Sequence, residues 1–146
     1  MNLKDFIRSI QDYPKKGILF RDITTLIKDK DAFAEAISQI VERSKKYDFD
    51  KIAAIESRGF VFASAVSFVL KKPFIMLRKK NKLPAEVHSV DFELEYGTAT
   101  IEVHKDSFEK NDNVLIIDDL IATGGTAEAA AKLIKMSDAN VAAFIF

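Results

Sequence analysis

An α/β fold with a central, mostly parallel sheet flanked by helices is predicted by three features of this 146-residue chain. Short apolar runs, KIAAI at 51–55, PFIMLR at 73–78 and VLIID at 114–118, have the composition of strands buried on both faces. The first two flank GFVFASAVSFVLKK, a stretch of helical length, so strand, helix and strand fit within 51–78 as one βαβ unit. After the third run, TAEAAAKLIKM is built from strong helix formers.

The remaining elements follow in chain order. Leu3, Phe6, Ile7 and Ile10 fall at helical spacing, with Asn2 as the cap and Pro14 as the stop, which predicts an N-terminal helix. KDKDAFAEAISQIVERSKKY sets Phe33, Ile37, Ile40 and Val41 on one helical face and charges on the other. VDFELEYGTATIEVH alternates around Glu95-Tyr96-Gly97-Thr98, which predicts two antiparallel strands and a turn. VAAFIF at the end reads as one more core strand. Termini usually fray into polar tails, so an apolar last strand suggests a truncated form of a longer chain. No repeat, low-complexity tract or Pro/Gly/Ser linker interrupts the sequence, so residues 1–146 are read as a single domain, with 50–146 its core.

Bulk properties exclude several function classes. Lys plus Arg and Asp plus Glu are balanced at 22 each, so no global field draws the chain to nucleic acid or an anionic membrane. The chain has no cysteine, which rules out disulfides, thiolate nucleophiles and cysteine metal sites. Lys4, Asp5 and Arg8 break up the N-terminal apolar positions, so no signal peptide is expected there. No stretch approaches the roughly 20 apolar residues of a membrane span. A soluble, cytoplasmic protein is the expectation.

One run calls for chemistry rather than packing. VLIIDDLIATGGTAEAA carries adjacent carboxylates, Asp118 and Asp119, into a Thr-Gly-Gly-Thr turn that opens a helix. In open parallel sheets ligands bind beyond the carboxyl ends of the strands, where these residues are predicted to lie. Glycines let backbone N–H groups turn toward an anion without a Cβ in the way, and a helix N-terminus adds partial positive charge. The turn is thus a cup for one phosphate group. The carboxylates would repel phosphate and suit sugar hydroxyls or a hydrated Mg²⁺ instead. Together they describe a site for a ribose 5-phosphate.

That run resembles the phosphoribosyl pyrophosphate (PRPP) signature of the type I phosphoribosyltransferases. YPKKGILFRDIT, IESRGF and RKKNKLP…LEYG stand in the order and spacing of the adenine phosphoribosyltransferases, and the likeness extends from Tyr13 to the end. It implies the type I phosphoribosyltransferase fold, with residues 1–30 as a hood and an antiparallel flexible-loop hairpin. By the same resemblance, Ala122, Thr123, Gly124, Gly125 and Thr126 hold the 5-phosphate, while Asp118 and Asp119 hold the ribose near the developing cation. Glu56, Ser57 and Arg58, with Arg78 and Lys82 from a Lys/Arg-rich run, meet the pyrophosphate; a cis peptide joins Glu56 to Ser57. Phe20 stacks on adenine, backbone groups of Leu19 and Arg21 read its edge, and Arg58 and Leu120 complete the base site. Glu95 handles the imidazole proton, and Tyr96 shields the reacting centre from water.

The resemblance further implies PRPP and adenine as substrates, Mg²⁺ carried in by PRPP, a homodimer, and neither nucleic-acid nor membrane partners. Two other readings stay open: the same fold acting on xanthine or hypoxanthine, and a PRPP-sensing regulator without catalysis. A 6-oxo base would call for a segment other than GILFRDIT, and a regulator for a DNA-binding domain or a basic face. The chain departs from the family pattern at Lys15, Lys16, Thr25 and Asn81, none of which removes a group with a direct chemical role, and at Glu56, where most members carry Asp.

Overall fold

The computed structural model describes residues 1–94, 97–119 and 125–146. They form two compact units, Met1–Glu42 and Arg43–Phe146.

The first unit differs from the helix expected at its start. Asn2 does cap, its side chain accepting from the Lys4 N–H, but only a 3-10 turn over Leu3–Phe6 follows. The chain then enters β1 (Arg8–Gln11), which pairs antiparallel with β2 (Leu19–Asp22). An isolated helix of so few residues is marginal, whereas the hairpin gains cross-strand partners. Ile10 stands opposite Phe20, and Arg8 Nε donates to Asp22 Oδ2 at 2.9 Å. Asp22 also accepts from the backbone and hydroxyl of Thr24 at 2.9 and 2.7 Å, fixing the entry to α1 (Thr24–Ile27). These Thr24 bonds, then Arg8, hold the Asp22 carboxyl down at about 2. The amphipathic helix expected next is α2 (Lys30–Ser44), which buries Ala32, Ala36 and Ile37.

The second unit carries the βαβ core. The strands β3 (Lys51–Ile55), β4 (Phe74–Lys79), β5 (Val87–Leu94), β6 (Gly97–His104), β7 (Asn113–Ile117) and β8 (Asn140–Ile145) form one sheet in the order β5-β6-β4-β3-β7-β8. The pairings of β3 with β4, β3 with β7 and β7 with β8 are parallel. The β5–β6 hairpin adds antiparallel pairings, in register from Val87↔His104 to Leu94↔Gly97, and β6 attaches it to β4. This is the predicted mixed sheet, mostly parallel with an antiparallel hairpin. Ile52, Ala53 and Ala54 of the central strand are fully buried, as an unalternating apolar run requires.

Two helices cover the sheet. α3 (Arg58–Leu70) buries Phe62, Ala63 and Val66, and it ends where Lys71 takes a left-handed φ of 56°. α4 (Gly125–Met136) sets Ala129, Ala130, Leu133 and Ile134 into one cluster with Ile101, Val103 and Ile116. The parallel strands run the same way, so β3, β4 and β7 deliver their carboxyl ends to one edge of the sheet.

Candidate active site

That edge collects the charged residues the sequence singles out. Glu56 and Ser57 follow β3 directly and are joined by a cis peptide bond, as expected. The Glu56 side chain, only 6% exposed, turns toward β4. One carboxylate oxygen accepts from the Lys79 backbone N–H, and the other meets Arg78 Nη2 and Lys82 Nζ, each at 3.3 Å. Burial pushes the Glu56 carboxyl up, but the Lys79 N–H, the Lys82 ammonium and the Arg78 guanidinium outweigh it and leave the group below its usual range. Glu56 therefore gathers the two cations into one positive spot, with side chains 30% and 48% exposed.

A second cluster lies beside it. Arg58, the first residue of α3, forms an ion pair through Nε with Asp119 at the end of β7. The Asp119 N–H donates to Asp118 Oδ1 at 2.8 Å, and the Asp118 N–H reaches Ile145 O at 3.0 Å. Burial, followed by the neighbouring Asp119 carboxyl, pushes Asp118 up to about 7; the Asp119 N–H and Arg58 counter only in part. Neighbouring carboxylates in a half-buried site share their proton demand this way, with one held neutral longer than the other. Gly59 stands where α3 comes close to β7. A Cβ there would stand 3.1 Å from Asp118 Oδ1 and 3.3 Å from Ile117 O.

The expected site residues thus fall into distinct groups. Glu56, Arg78 and Lys82 are brought together, as are Arg58, Asp118 and Asp119, and Gly125 and Thr126 open α4 after β7. Leu19, Phe20 and Arg21 lie on β2 of the first unit. Leu19 is 45% exposed, Phe20 is half-buried against the Tyr13 ring at 5.1 Å, and Arg21 donates to Ser9 Oγ at 2.6 Å. Glu95, Tyr96, Leu120, Ala122, Thr123 and Gly124 lie outside the described residues.

Sequence reasoning missed two contributors. Gly59 carries its signal in IESRGF, where a glycine opens a helix beside a functional strand end. Glu102 is buried in β6 and accepts from the Asn81 N–H at 3.0 Å and the Ser89 hydroxyl at 2.5 Å. Its signal is the polar stripe Thr100, Glu102 and His104, alternating with Ile101 and Val103.

Paired carboxylates that accept hydrogen bonds, beside paired cations and a helix N-terminus at one sheet edge, can bind a polyhydroxylated anion. Residues 23–145 match the phosphoribosyl transferase domain family. The chain is 84% identical over all 146 residues to the adenine phosphoribosyltransferase of Pelagibacter ubique, spanning 83% of that protein's length. Its fold superimposes on the crystal structure of adenine phosphoribosyltransferase from Thermoanaerobacter pseudethanolicus with a TM-score of 0.96 and 46% identity, covering 99% of this chain and 84% of the other. The Saccharomyces cerevisiae enzyme, crystallised with an imino-altritol bisphosphate and adenine, gives 0.89 and 32%, covering 98% of this chain and 86% of the other. The chain belongs to the adenine phosphoribosyltransferase family.

Proposed function

We propose that this chain transfers the 5-phosphoribosyl group from PRPP to adenine, giving AMP and pyrophosphate in purine salvage. The observation that carries the reading is the arrangement at one sheet edge of Glu56 with Arg78 and Lys82, and of Asp118 with Asp119 and Arg58. A phosphoribosyl transfer needs both kinds of site. Cleavage at the anomeric carbon leaves positive charge on the sugar ring and negative charge on the departing pyrophosphate.

Arg78 and Lys82 are the groups assigned to the pyrophosphate, Arg78 by a two-oxygen grip and Lys82 as a point charge. They would exchange Glu56 for the substrate and stabilise charge where it develops. Asp118 and Asp119 accept from the ribose hydroxyls and face the developing cation. Ala122, Thr123, Gly124, Gly125 and Thr126 are assigned to the 5-phosphate, and Gly125 opens α4, so remote binding energy fixes the reacting geometry. Ser57 lines the pyrophosphate loop. Leu19, Phe20, Arg21, Arg58 and Leu120 are assigned to adenine, Glu95 to its proton and Tyr96 to excluding water. The base is neutral, and aromatic stacking with backbone contacts suits it.

Among the described residues no group of three or more His, Asp or Glu is placed to hold a metal ion. Asp118 and Asp119 are two carboxylates, a set that fits Mg²⁺ arriving on a substrate's phosphates with most of its own waters. When bound, Mg²⁺ offsets charge on the pyrophosphate. The reading extends to a cytoplasmic homodimer. Among the described residues no helix is long and apolar enough to cross a membrane. The large apolar side chains Phe68 and Val69 are 85% and 54% exposed on α3, which suits a protein partner.

The test is product formation from PRPP and Mg²⁺ with adenine, hypoxanthine, guanine and xanthine in separate reactions. AMP from adenine alone is the expected result. Turnover of a 6-oxo base instead would overturn the assignment of Leu19, Phe20 and Arg21 to adenine.

A further inference from the structure

We propose that Glu102 is a positioning residue for the basic loop, holding Asn81 so that the adjacent Lys82 presents its ammonium to the substrate's pyrophosphate; this rests on the role given to Lys82 above. Glu102 is 7% exposed and stands directly opposite Arg78 across the β4–β6 pairing and opposite Ser89 across the β5–β6 pairing. Its two carboxylate oxygens divide between the basic loop and the hairpin. Oε1 accepts from the Asn81 N–H at 3.0 Å, and Oε2 accepts from the Ser89 hydroxyl at 2.5 Å.

Asn81 has a φ of 69°, in the left-handed region that asparagine enters more readily than other residues with a Cβ, so the chain turns sharply where Glu102 holds it. The far side of the same loop is held by His104, two residues further along β6. His104 Nε2 accepts from the Ala85 N–H at 3.2 Å, and the Lys105 N–H donates to Glu86 O at 2.9 Å. The Ser89 hydroxyl and the Asn81 N–H outweigh burial and, with the Lys80 charge adding to them, hold the Glu102 carboxyl below its usual range. A staple for the hairpin alone would require only Ser89; the bond to Asn81 adds a hold on the chain one residue before Lys82. Glu56 then meets the Lys82 ammonium at 3.3 Å, so one glutamate holds the tip of this side chain and another holds the residue before it.

The experiment measures steady-state kinetics and pyrophosphate binding for K82A, E102A, E102Q and the E102A/K82A double variant of the full chain. K82A should raise KM for PRPP about tenfold, as loss of one hydrogen bond to a charged group does. E102A should raise KM for PRPP and weaken pyrophosphate binding several-fold, with KM for adenine unchanged. E102Q keeps an acceptor for Asn81 and a partner for Ser89, so it should behave as wild type. The double variant should be no worse than K82A. E102A with the wild-type KM for PRPP, whether or not its melting temperature falls, would overturn the proposal. So would E102A and K82A effects that multiply. If E102A does not fold, E102D, with its carboxyl drawn back by one methylene, should show the same rise in KM, and a wild-type KM there would equally overturn it. An unchanged KM in K82A would remove the role of Lys82 itself, which separates that failure from a failure confined to Glu102.

Discussion

Replacing Asp118 with Asn should stabilise the protein at alkaline pH while impairing it as a catalyst. The amide keeps an Oδ1 to accept the Asp119 N–H, now at 2.8 Å, and gains an N–H₂ that can donate to the Asp119 carboxylate. What it removes is a charge in a half-buried place beside another carboxylate. Burial and Asp119 raise Asp118 from 3.8 to about 7. A shift of that size corresponds to about 4 kcal/mol at full burial, and solvent screening at a partly exposed site reduces it to about 2 kcal/mol. Because the folded-state pKa is the higher one, this contribution is fully present below pH 3.8 and is lost as pH rises through about 7. At pH 8 the wild type carries the unfavourable charge and the variant does not. Asp118→Asn should therefore melt roughly 4–8 °C higher at pH 8 for a chain of this size, with the gap closing toward pH 4. Thermal unfolding followed by circular dichroism across that range reads both. A gap that does not change with pH, or a variant less stable than wild type at pH 8, would refute the reasoning. In the same variant kcat/KM should fall about 10- to 100-fold, the worth of a hydrogen bond to a charged group.

Other substitutions probe the frame of the site. Gly59→Ala presses a Cβ onto Asp118 Oδ1 and onto Ile117 O, and the backbone oxygen cannot swing away; a loss of about 1–3 kcal/mol in urea titration is expected, together with reduced turnover. Leu133→Ala empties a fully buried position in the cluster under α4, and it should cost about 2–5 kcal/mol in the same titration with an unchanged m-value. Asp22 has a lowered folded-state pKa, so its contribution is present above pH 3.8 and is lost as pH falls through about 2. Asp22→Asn should therefore be less stable than wild type at neutral pH, and acid titration should show the two converging near pH 2.

The core was legible because its signals are strictly local. KIAAI, VLIID and the α4 segment each carry one unbroken pattern, and parallel strands buried on both faces leave little room for another reading. The same holds for the carboxylates and cations at the strand ends, since a βαβ order dictates which ends meet. The N-terminus misled because Leu3, Phe6, Ile7 and Ile10 satisfy helical spacing, while the decisive partners, Phe20 and Asp22, lie more than a helical turn away in sequence. Pairing with β2 outweighs a periodicity that is too short to sustain a helix. The Glu56 contacts were hidden for a related reason. A carboxylate in a loop expected to meet pyrophosphate reads as a ligand residue, and only the β3–β4 register shows that it faces Arg78 and Lys82.

The most direct test of the central claim is AMP formation from PRPP, Mg²⁺ and adenine by wild type and by the Asp118→Asn/Asp119→Asn double variant. The account predicts AMP and pyrophosphate in equal amounts from wild type, and a loss of about 10²-fold or more in the folded double variant. Turnover by the double variant at the wild-type rate, or no AMP from wild type, would contradict it.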